Sequence, residues 1–203
     1  MTPTTPATNP TRVTKRRAET RARLIDAAFK VFADKGFGHV RIEDVCAAAG
    51  YTRGAFYSQF DSLEELFFTL YDQRATFIAE QVGSAMASAD DPTDVPGTVD
   101  RIANTLLLDR DWLLIKTDFL LHAARHPELA QRLAVHRAQL RAAVEERLAG
   151  GDVELPKAIG GVAGAARAVV AVYDGVSIQL LLDNEQAAAR AWLSQLLNVV
   201  LAR

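Results

Sequence analysis

The chain has 203 residues, 49% of them hydrophobic and 24% charged, so it carries enough apolar material for one or two buried cores without long stretches of bare polarity. Its net charge of −2 conceals an asymmetry: residues 1–60 hold ten Lys/Arg against five Asp/Glu, whereas residues 61–203 hold 13 against 20. A basic front raises local affinity for a polyanion whatever the total charge, and an acidic rear repels one.

The start, Met1 to Thr14, is Thr/Pro-rich and lacks the apolar core of a secretory signal. Residues 1–17 are therefore expected to form a disordered basic arm. Cys46, the single cysteine, cannot close an internal disulfide and has no partner at metal-ligand spacing, which points to a reducing compartment, the cytoplasm. No stretch supplies the ~18–20 uninterrupted apolar residues of a membrane span. The nearest, Gly160 to Tyr173, is interrupted by Arg167, and no membrane partner is expected.

Period-3.6 apolar spacing recurs along the chain and no segment alternates like a half-buried strand, so the expected fold is all-α with about nine helices. A first helix, starting near Thr20, carries Leu24, Ala28, Val31 and Phe32 on one stripe and stops at Lys35-Gly36. A short second helix from Ile42 to Ala49 ends at Gly50, and a third begins after Thr52, whose hydroxyl can cap the N–H of Gly54 or Ala55. Ser62-Leu63-Glu64-Glu65 is a capping box opening a long fourth helix that reaches about residue 89. The stretch Asp90 to Gly97, with two prolines, reads as a loop; further helices are expected at about 98–108, 112–125, 127–149, 157–182 and 185–202.

Residues 41–60 have the form of a helix-turn-helix, with Ile42, Val45, Ala48, Ala49, Tyr51, Phe56 and Phe60 turned toward the Leu24/Phe32 stripe. The free face of the second helix of the pair would then present Arg53, Gly54, Ala55, Tyr57, Ser58 and Gln59. Arg53 can bond guanine O6 and N7, the Ala55 methyl can pack on a thymine methyl, Gln59 can address adenine or phosphate, and Tyr57 suits a phosphate. Ahead of it Arg12, Lys15, Arg16, Arg17, Arg21 and Arg23 face only Glu19, an arrangement that suits backbone tracking or a solvated terminus.

In the rear, Phe67, Phe68, Tyr71, Phe77, Met86, Trp112 and Phe119, with Asp118 and His122, form either an ordinary core or the wall of a pocket. Asp118, His122 and His126 are spaced four apart on one helical face, a spacing that can present metal ligands, although His126 before Pro127 suits a helix end and no metal is assigned. The last two helices carry wide apolar stripes, Val176 and Leu180 on one, Trp192 and Leu196 on the other. Small residues at Gly160 and Gly164 allow close approach, so these helices either build a four-helix bundle with a second copy or pack only within the chain. No nucleophile elbow, phosphate loop, strand-borne dinucleotide motif or catalytic carboxylate pair is found, so no enzyme activity and no cofactor are expected.

Thr20-Arg21-Ala22-Arg23-Leu24-Ile25-Asp26-Ala27-Ala28, Phe32-Ala33-Asp34-Lys35-Gly36 and Ala48-Ala49-Gly50-Tyr51-Thr52-Arg53-Gly54-Ala55-Phe56-Tyr57-Ser58-Gln59-Phe60 together resemble the amino-terminal domain of TetR-family transcriptional regulators, over about residues 18–78. The resemblance implies a homodimeric DNA-binding regulator, usually a repressor of a palindromic operator, with a variable helical rear domain, residues 79–203, that binds a small-molecule effector and dimerises. By position it gives DNA contacts to Arg53, Ala55, Tyr57 and Ser58, with Thr52, Gly54, Gln59, Arg41, Arg16 and Arg17 close to the DNA. The rear assignments are Tyr71, Phe77, Trp112, Phe119 and His122 for a hydrophobic effector, and Gly164, Val176, Leu180, Trp192 and Leu196 for the interface.

Two positions depart from the family pattern. Val40-Arg41 stands where the family often has Thr or Ser at the start of helix two, and Leu63 where it often has Lys after the cap of helix four. Arg41 would then serve as a substitute phosphate clamp. The alternative function is an architectural or constitutive DNA-binding protein without an effector.

Overall fold

A computed structural model of the chain describes residues 10–88, 94–106, 109–150 and 155–201, with side chains from residue 15. Among the described residues there are nine α-helices, two 3-10 turns and no strand. They form two compact units that divide between Tyr71 and Asp72. The sequence places the division later, after residue 78.

The first unit holds α1 (Pro10–Lys35), α2 (Ile42–Ala49), α3 (Arg53–Tyr57) and the first turns of α4 (Leu63–Ala87). Helix α1 starts ten residues before the expected Thr20, so residues 10–17 are helical and not a disordered arm; residues 1–9 lie outside the described residues. The reason is intrinsic propensity. Lys, Arg, Ala and Glu dominate residues 15–23, Pro10 can sit in a first turn where its missing N–H costs nothing, and Glu19 pairs with Arg23 at 3.0 Å one turn on. Gly36, at φ 76°, ends the helix, and a 3-10 turn, Phe37–His39, inserts Phe37 between Phe32 and Phe67, with ring centroids 5.2 and 5.9 Å away.

Leu24, Phe32, Val45, Phe56, Phe60, Leu66 and Phe67 are the buried centre of this unit. Ala48 is exposed and Cys46 takes its expected place inside. On a helix, residues 42, 45, 46 and 49 form one stripe, and 48 falls off it.

The second unit holds the rest of α4, then α5 (Val95–Thr105), α6 (Arg110–Ala124), α7 (Pro127–Gly150), a 3-10 turn (Lys157–Ile159), α8 (Gly161–Asp183) and α9 (Gln186–Leu201). The loop expected through Gly97 ends early. The Asp94 side chain accepts from the Gly97 N–H at 2.9 Å, and Pro96 lies in the first turn, where no N–H is missed, so α5 starts at Val95. Residues 89–93 of that stretch lie outside the described residues. The helix expected at 157–182 is broken by Gly160 and Gly161, both left-handed with φ 80° and 75°.

Gly164 sits against the carbonyl of Ile159, which a Cβ there would meet at 1.7 Å. Its close approach is thus made inside the chain, to the preceding turn, and not to a second copy as the sequence suggests. Gly164→Ala should lower the stability of the second unit by about 1–3 kcal/mol, the usual cost of overpacking, in urea titration of the purified chain. An alanine variant as stable as the parent would contradict this contact.

The main core of this unit unites α5, α8 and α9 through Val99, Ala103, Val176, Leu180, Leu193 and Leu197. Helix α8 has 23 residues and a mean hydropathy of 1.4 over its most apolar 18-residue window, long and apolar enough by those measures to cross a membrane. Read as uninterrupted sequence it looks too short, because Arg167 splits it. Asp174 in its middle is held by Lys116 of α6 and Arg137 of α7, which places the helix inside a helical unit.

Candidate nucleic-acid interface and effector site

Helix α3 has five residues, far too few to persist alone, and each end is held by a side chain. At its start the Ala55 N–H donates to Thr52 Oγ1 at 3.3 Å. At its end, Ser58 Oγ donates to the Ala55 carbonyl at 2.7 Å. Phe56 anchors the inner face, fully buried and 5.8 Å from the Phe60 ring.

Two arginines of α1 then take up carbonyls that the end of α3 leaves open. Arg17 donates to Ser58 O at 3.3 Å. Arg21 donates to Gln59 O at 2.9 Å and to Thr69 Oγ1 of α4 at 3.1 Å, and covers the Phe60 ring at 4.3 Å. Arg17 is thus engaged with the protein, and Arg21 joins three helices. Sequence alone reads both as part of a basic arm; the available signal is the i, i+4 spacing of 17 and 21, which puts them on one face of α1.

The outward face of α3 carries Arg53, Gly54, Tyr57 and Ser58 exposed, with Ala55 and Gln59 half-buried. Arg53 pairs with Glu43 of α2 at 3.0 Å and approaches the Tyr57 hydroxyl at 3.5 Å. The Tyr57 hydrogen bond and then the Glu43 charge raise its pKa further. A methyl group at Gly54 would meet only Thr52 Oγ1, at an ordinary 3.8 Å, so nothing in the chain's own packing asks for glycine there. The small side chain leaves the backbone open to close approach from outside.

Arg41 is exposed at the N-cap of α2, and Arg16 is exposed on α1. The cap that the sequence lacks at helix two is supplied from inside the helix. Asp44 Oδ2 accepts the Arg41 N–H at 2.8 Å while Oδ1 accepts from Lys35 at 2.7 Å. Lys35 first, then the Arg41 N–H, hold the Asp44 carboxyl below the ordinary carboxylate range. At α4, Ser62 Oγ accepts the Glu65 N–H at 3.2 Å, and the Glu65 carboxylate reaches back to the Asp61 N–H at 2.6 Å, one residue before the cap.

In the rear, the expected effector residues are scattered. Tyr71 is buried in the first unit, 6.0 Å from the Phe67 ring; Phe77 is largely exposed on α4. Trp112 and Phe119 are buried on α6, and His122 is half-buried with its ring 4.4 Å from His126. The physical reason is helix rotation: an aromatic every third or fourth residue marks a stripe, but the packing partner decides which stripe turns inward. Among the described residues no three His, Cys, Asp or Glu side chains gather as metal ligands. His126 Nδ1 lies 2.8 Å from the His122 carbonyl.

The described residues do hold a cleft of about 50 Å³, between the end of α8 and the start of α9, lined by Val176, Gln179, Leu180, Asp183, Ala189 and Trp192 among others. Pockets for drug-sized ligands run to roughly 300–1,000 Å³, so it admits a side chain and not such a molecule. Of the expected interface residues, Val176 and Leu180 are buried in the chain's own core, and Leu196 is half-buried beside it. Only Trp192 points out. The outward stripes are Ala171, Gly175, Ile178 and Leu182 on α8 and Ala188, Trp192, Gln195 and Val199 on α9, each at i, i+4, i+7, i+11.

Residues 24–70 match the family model described as "Bacterial regulatory proteins, tetR family", and residues 74–202 match "Tetracyclin repressor-like, C-terminal domain". The chain belongs to the TetR family. Among its relatives, the HTH-type transcriptional regulator CymR of Pseudomonas putida is 32% identical over 117 residues, which are 58% of this chain and 57% of that protein, so the chain matches a little over half of that regulator's length. The HTH-type transcriptional repressor SCO4008 of Streptomyces coelicolor is 30% identical over 164 residues, 81% of this chain and 68% of the repressor. A solved transcriptional regulator from Rhodococcus sp. Rha1 shares the fold at a TM-score of 0.71 and 20% identity, over 89% of this chain and 95% of that one. The multidrug binding protein EbrR, solved in complex with imidazole, gives a TM-score of 0.61 at 29% identity, over 87% and 93%.

Against the TetR-family pattern, Asp44 and Lys35 explain how helix two starts without a hydroxyl cap. Leu63 remains a departure at the start of α4, where it is half-buried. A further group escapes the sequence reading altogether. Asp174 of α8 takes Lys116 at 3.2 Å on one oxygen and Arg137 on the other, and the Lys116 ammonium lies 4.4 Å above the Tyr173 ring. Burial pushes the Lys116 pKa down. Burial would raise that of Asp174, but Lys116 and Arg137 hold it below the carboxylate range. The available signal is a charged residue inside each of two otherwise apolar runs, WLLIK and AVYDGV.

Proposed function

We propose that the chain is a homodimeric, sequence-specific transcriptional repressor that acts in the cytoplasm on an inverted-repeat operator and is released by a hydrophobic small molecule. The outward face of α3 carries this reading: an exposed Arg53, a bare Gly54, and Ala55, Tyr57, Ser58 and Gln59 beside them, on a helix fixed at both ends. Residues 18–78 are the DNA-binding part, with Arg41 and Arg16 on phosphates, Arg17 holding α3, and Thr52 at the helix start. Residues 79–203 are the effector and dimerisation part. The chain acts by binding and not by turnover, as the regulator names of its relatives suggest.

Two half-sites about 34–36 Å apart need two copies of α3. The outward stripes of α8 and α9 support a four-helix dimer interface, with Ile178 and Leu182 replacing Val176 and Leu180 in the role the sequence gave them, alongside Trp192. The pair Leu182→Glu and Val199→Glu should convert the dimer to a monomer in light scattering. Both side chains are about four-fifths exposed, so folding should be kept. Operator affinity should fall roughly a thousandfold, toward the non-specific level. A dimer that persists would contradict this interface.

An effector would act through α4, which begins in one unit and continues into the other, by favouring a conformer that no longer matches two successive major grooves. The multidrug binding named for EbrR supports a small-molecule effector. A second reading, an effector-independent DNA-binding protein, is favoured by the small volume of the cleft between α8 and α9.

A further inference from the structure

Glu43 stands in the first turn of α2, and its carboxylate lies 3.0 Å from Nη1 of Arg53 on α3, while the Tyr57 hydroxyl, one turn along α3, approaches Nη2 of the same guanidinium at 3.5 Å. The Tyr57 ring lies beneath, 5.8 Å from the Arg53 Cζ. The fork is therefore held at both ends by groups from two helices. Glu43 and Arg53 keep 55% and 60% of their side-chain surface in solvent, so the pair fills no core, and ion pairs this exposed add little to stability.

What the pair does control is the state of Arg53 before DNA arrives. A flexible arginine spends its charge on any phosphate within reach, which carries no sequence information. A carboxylate beside the fork opposes that use twice over: it occupies one N–H edge, and its own charge repels the phosphate backbone. A base edge differs, because guanine O6 and N7 are neutral acceptors that ask for a planar fork already in place.

We propose that Glu43 is a positioning and specificity-determining residue that holds the Arg53 fork ready for a base edge and suppresses its use on backbone phosphate. This rests on α3 being the DNA-reading helix. The same carboxylate also stands near the positive end of α2, a purely structural role that would operate whether or not Arg53 were present.

The test compares the full-length parent with Glu43→Gln, Glu43→Asp, Arg53→Ala and the Glu43→Gln/Arg53→Ala double variant. The probes are the duplex that the parent enriches from random-sequence DNA and a scrambled duplex of equal length, each titrated at several salt concentrations. For Glu43→Gln the ratio of enriched to scrambled affinity should fall about tenfold, within the range of one arginine–guanine contact. Binding to the scrambled duplex should tighten, and its salt slope should steepen by about one, as for one added phosphate contact. Glu43→Asp keeps the charge but shortens the reach, so it should lose affinity for the enriched duplex with scrambled binding unchanged. In the Arg53→Ala background, Glu43→Gln should change the ratio less than about twofold, since its only route is gone.

A Glu43→Gln ratio within twofold of the parent, or an equal fall with and without Arg53, overturns the proposal. Equal behaviour of Glu43→Asp and the parent overturns the positioning role. Failure of the parent to enrich any duplex would instead overturn the DNA-reading assignment of α3 together with the proposal, and an Arg53→Ala variant that enriches the parental motif would overturn the base-reading role of Arg53.

Discussion

Arg53→Ala should weaken binding to the enriched duplex by about 1–3 kcal/mol per half-site, roughly tenfold to a hundredfold, and relax the sequence requirement at one base position of each half-site. The side chain is exposed and paired only with Glu43 and Tyr57, so its loss should leave thermal unfolding of the first unit unchanged. Arg16→Ala provides the contrast. Arg16 lies exposed on α1, outside α3, and if it meets phosphate its loss should weaken all sequences alike and reduce the salt slope by about one. Selection from random DNA with each variant separates the two roles. An Arg53→Ala variant that recovers the parental motif unchanged would remove Arg53 from the reading face.

Asp174→Ala should lower the stability of the second unit by about 3 kcal/mol, the low end of what breaking a buried ion pair costs because Asp174 and Arg137 retain some solvent. The substitution leaves two cations facing each other, and Lys116, already penalised by burial, loses the carboxylate that offsets it. For a chain of this size the midpoint of thermal unfolding should drop by about 2–4 °C per kcal/mol. Lys116→Met makes the complementary case. It removes the desolvated charge but leaves Asp174 with Arg137, so it should lie within about 1 kcal/mol of the parent.

The pH dependence follows from the same geometry. The folded Asp174 carboxyl titrates below its unfolded value, so its contribution is complete above about pH 4 and is lost as the pH falls through the folded value. The parent should therefore show a steeper loss of stability in acid than Asp174→Ala. Equal acid slopes, or an alanine variant as stable as the parent, would show that the triad does not hold α6, α7 and α8 together.

Local chemistry in this chain is legible from sequence wherever one residue settles the backbone. Thr52 and Ser62 cap as their hydroxyls allow, and Gly36 and Gly50 end helices at positive φ. Where two tendencies compete, charge counting misleads: the basic residues before Thr20 repel one another, yet their helix propensity carries α1 back to Pro10. Rotation is the other blind spot. Helix α8 is apolar nearly all round, so periodicity cannot choose between Val176/Leu180 and Ile178/Leu182, and only the packing of α5 and α9 turns the first pair inward.

The candidate DNA face follows the same rule. Arg53, Gly54 and Tyr57 are exposed because Phe56 and Phe60, fixed by the stripe of α1, leave no other orientation for so short a helix. Arg17 and Arg21 were open to two uses, since a long cation serves a phosphate or a helix end equally well. Their engagement with Ser58 and Gln59 depends on where α1 passes α3. The effector residues depended on the rotation of several helices at once, and Tyr71 and Phe77 illustrate the outcome: one enters the core of the first unit and the other faces solvent.

The most direct measurement is selection of the purified full-length chain against random duplex DNA at about 0.15 M salt, where phosphate-only binding is weakened, with the enriched pool read by sequencing. A dimeric reader with one α3 per half-site should enrich an inverted repeat whose half-sites lie one helical turn or a multiple apart. A pool without a motif, bound in a manner that merely fades as salt rises, would contradict sequence-specific reading by α3.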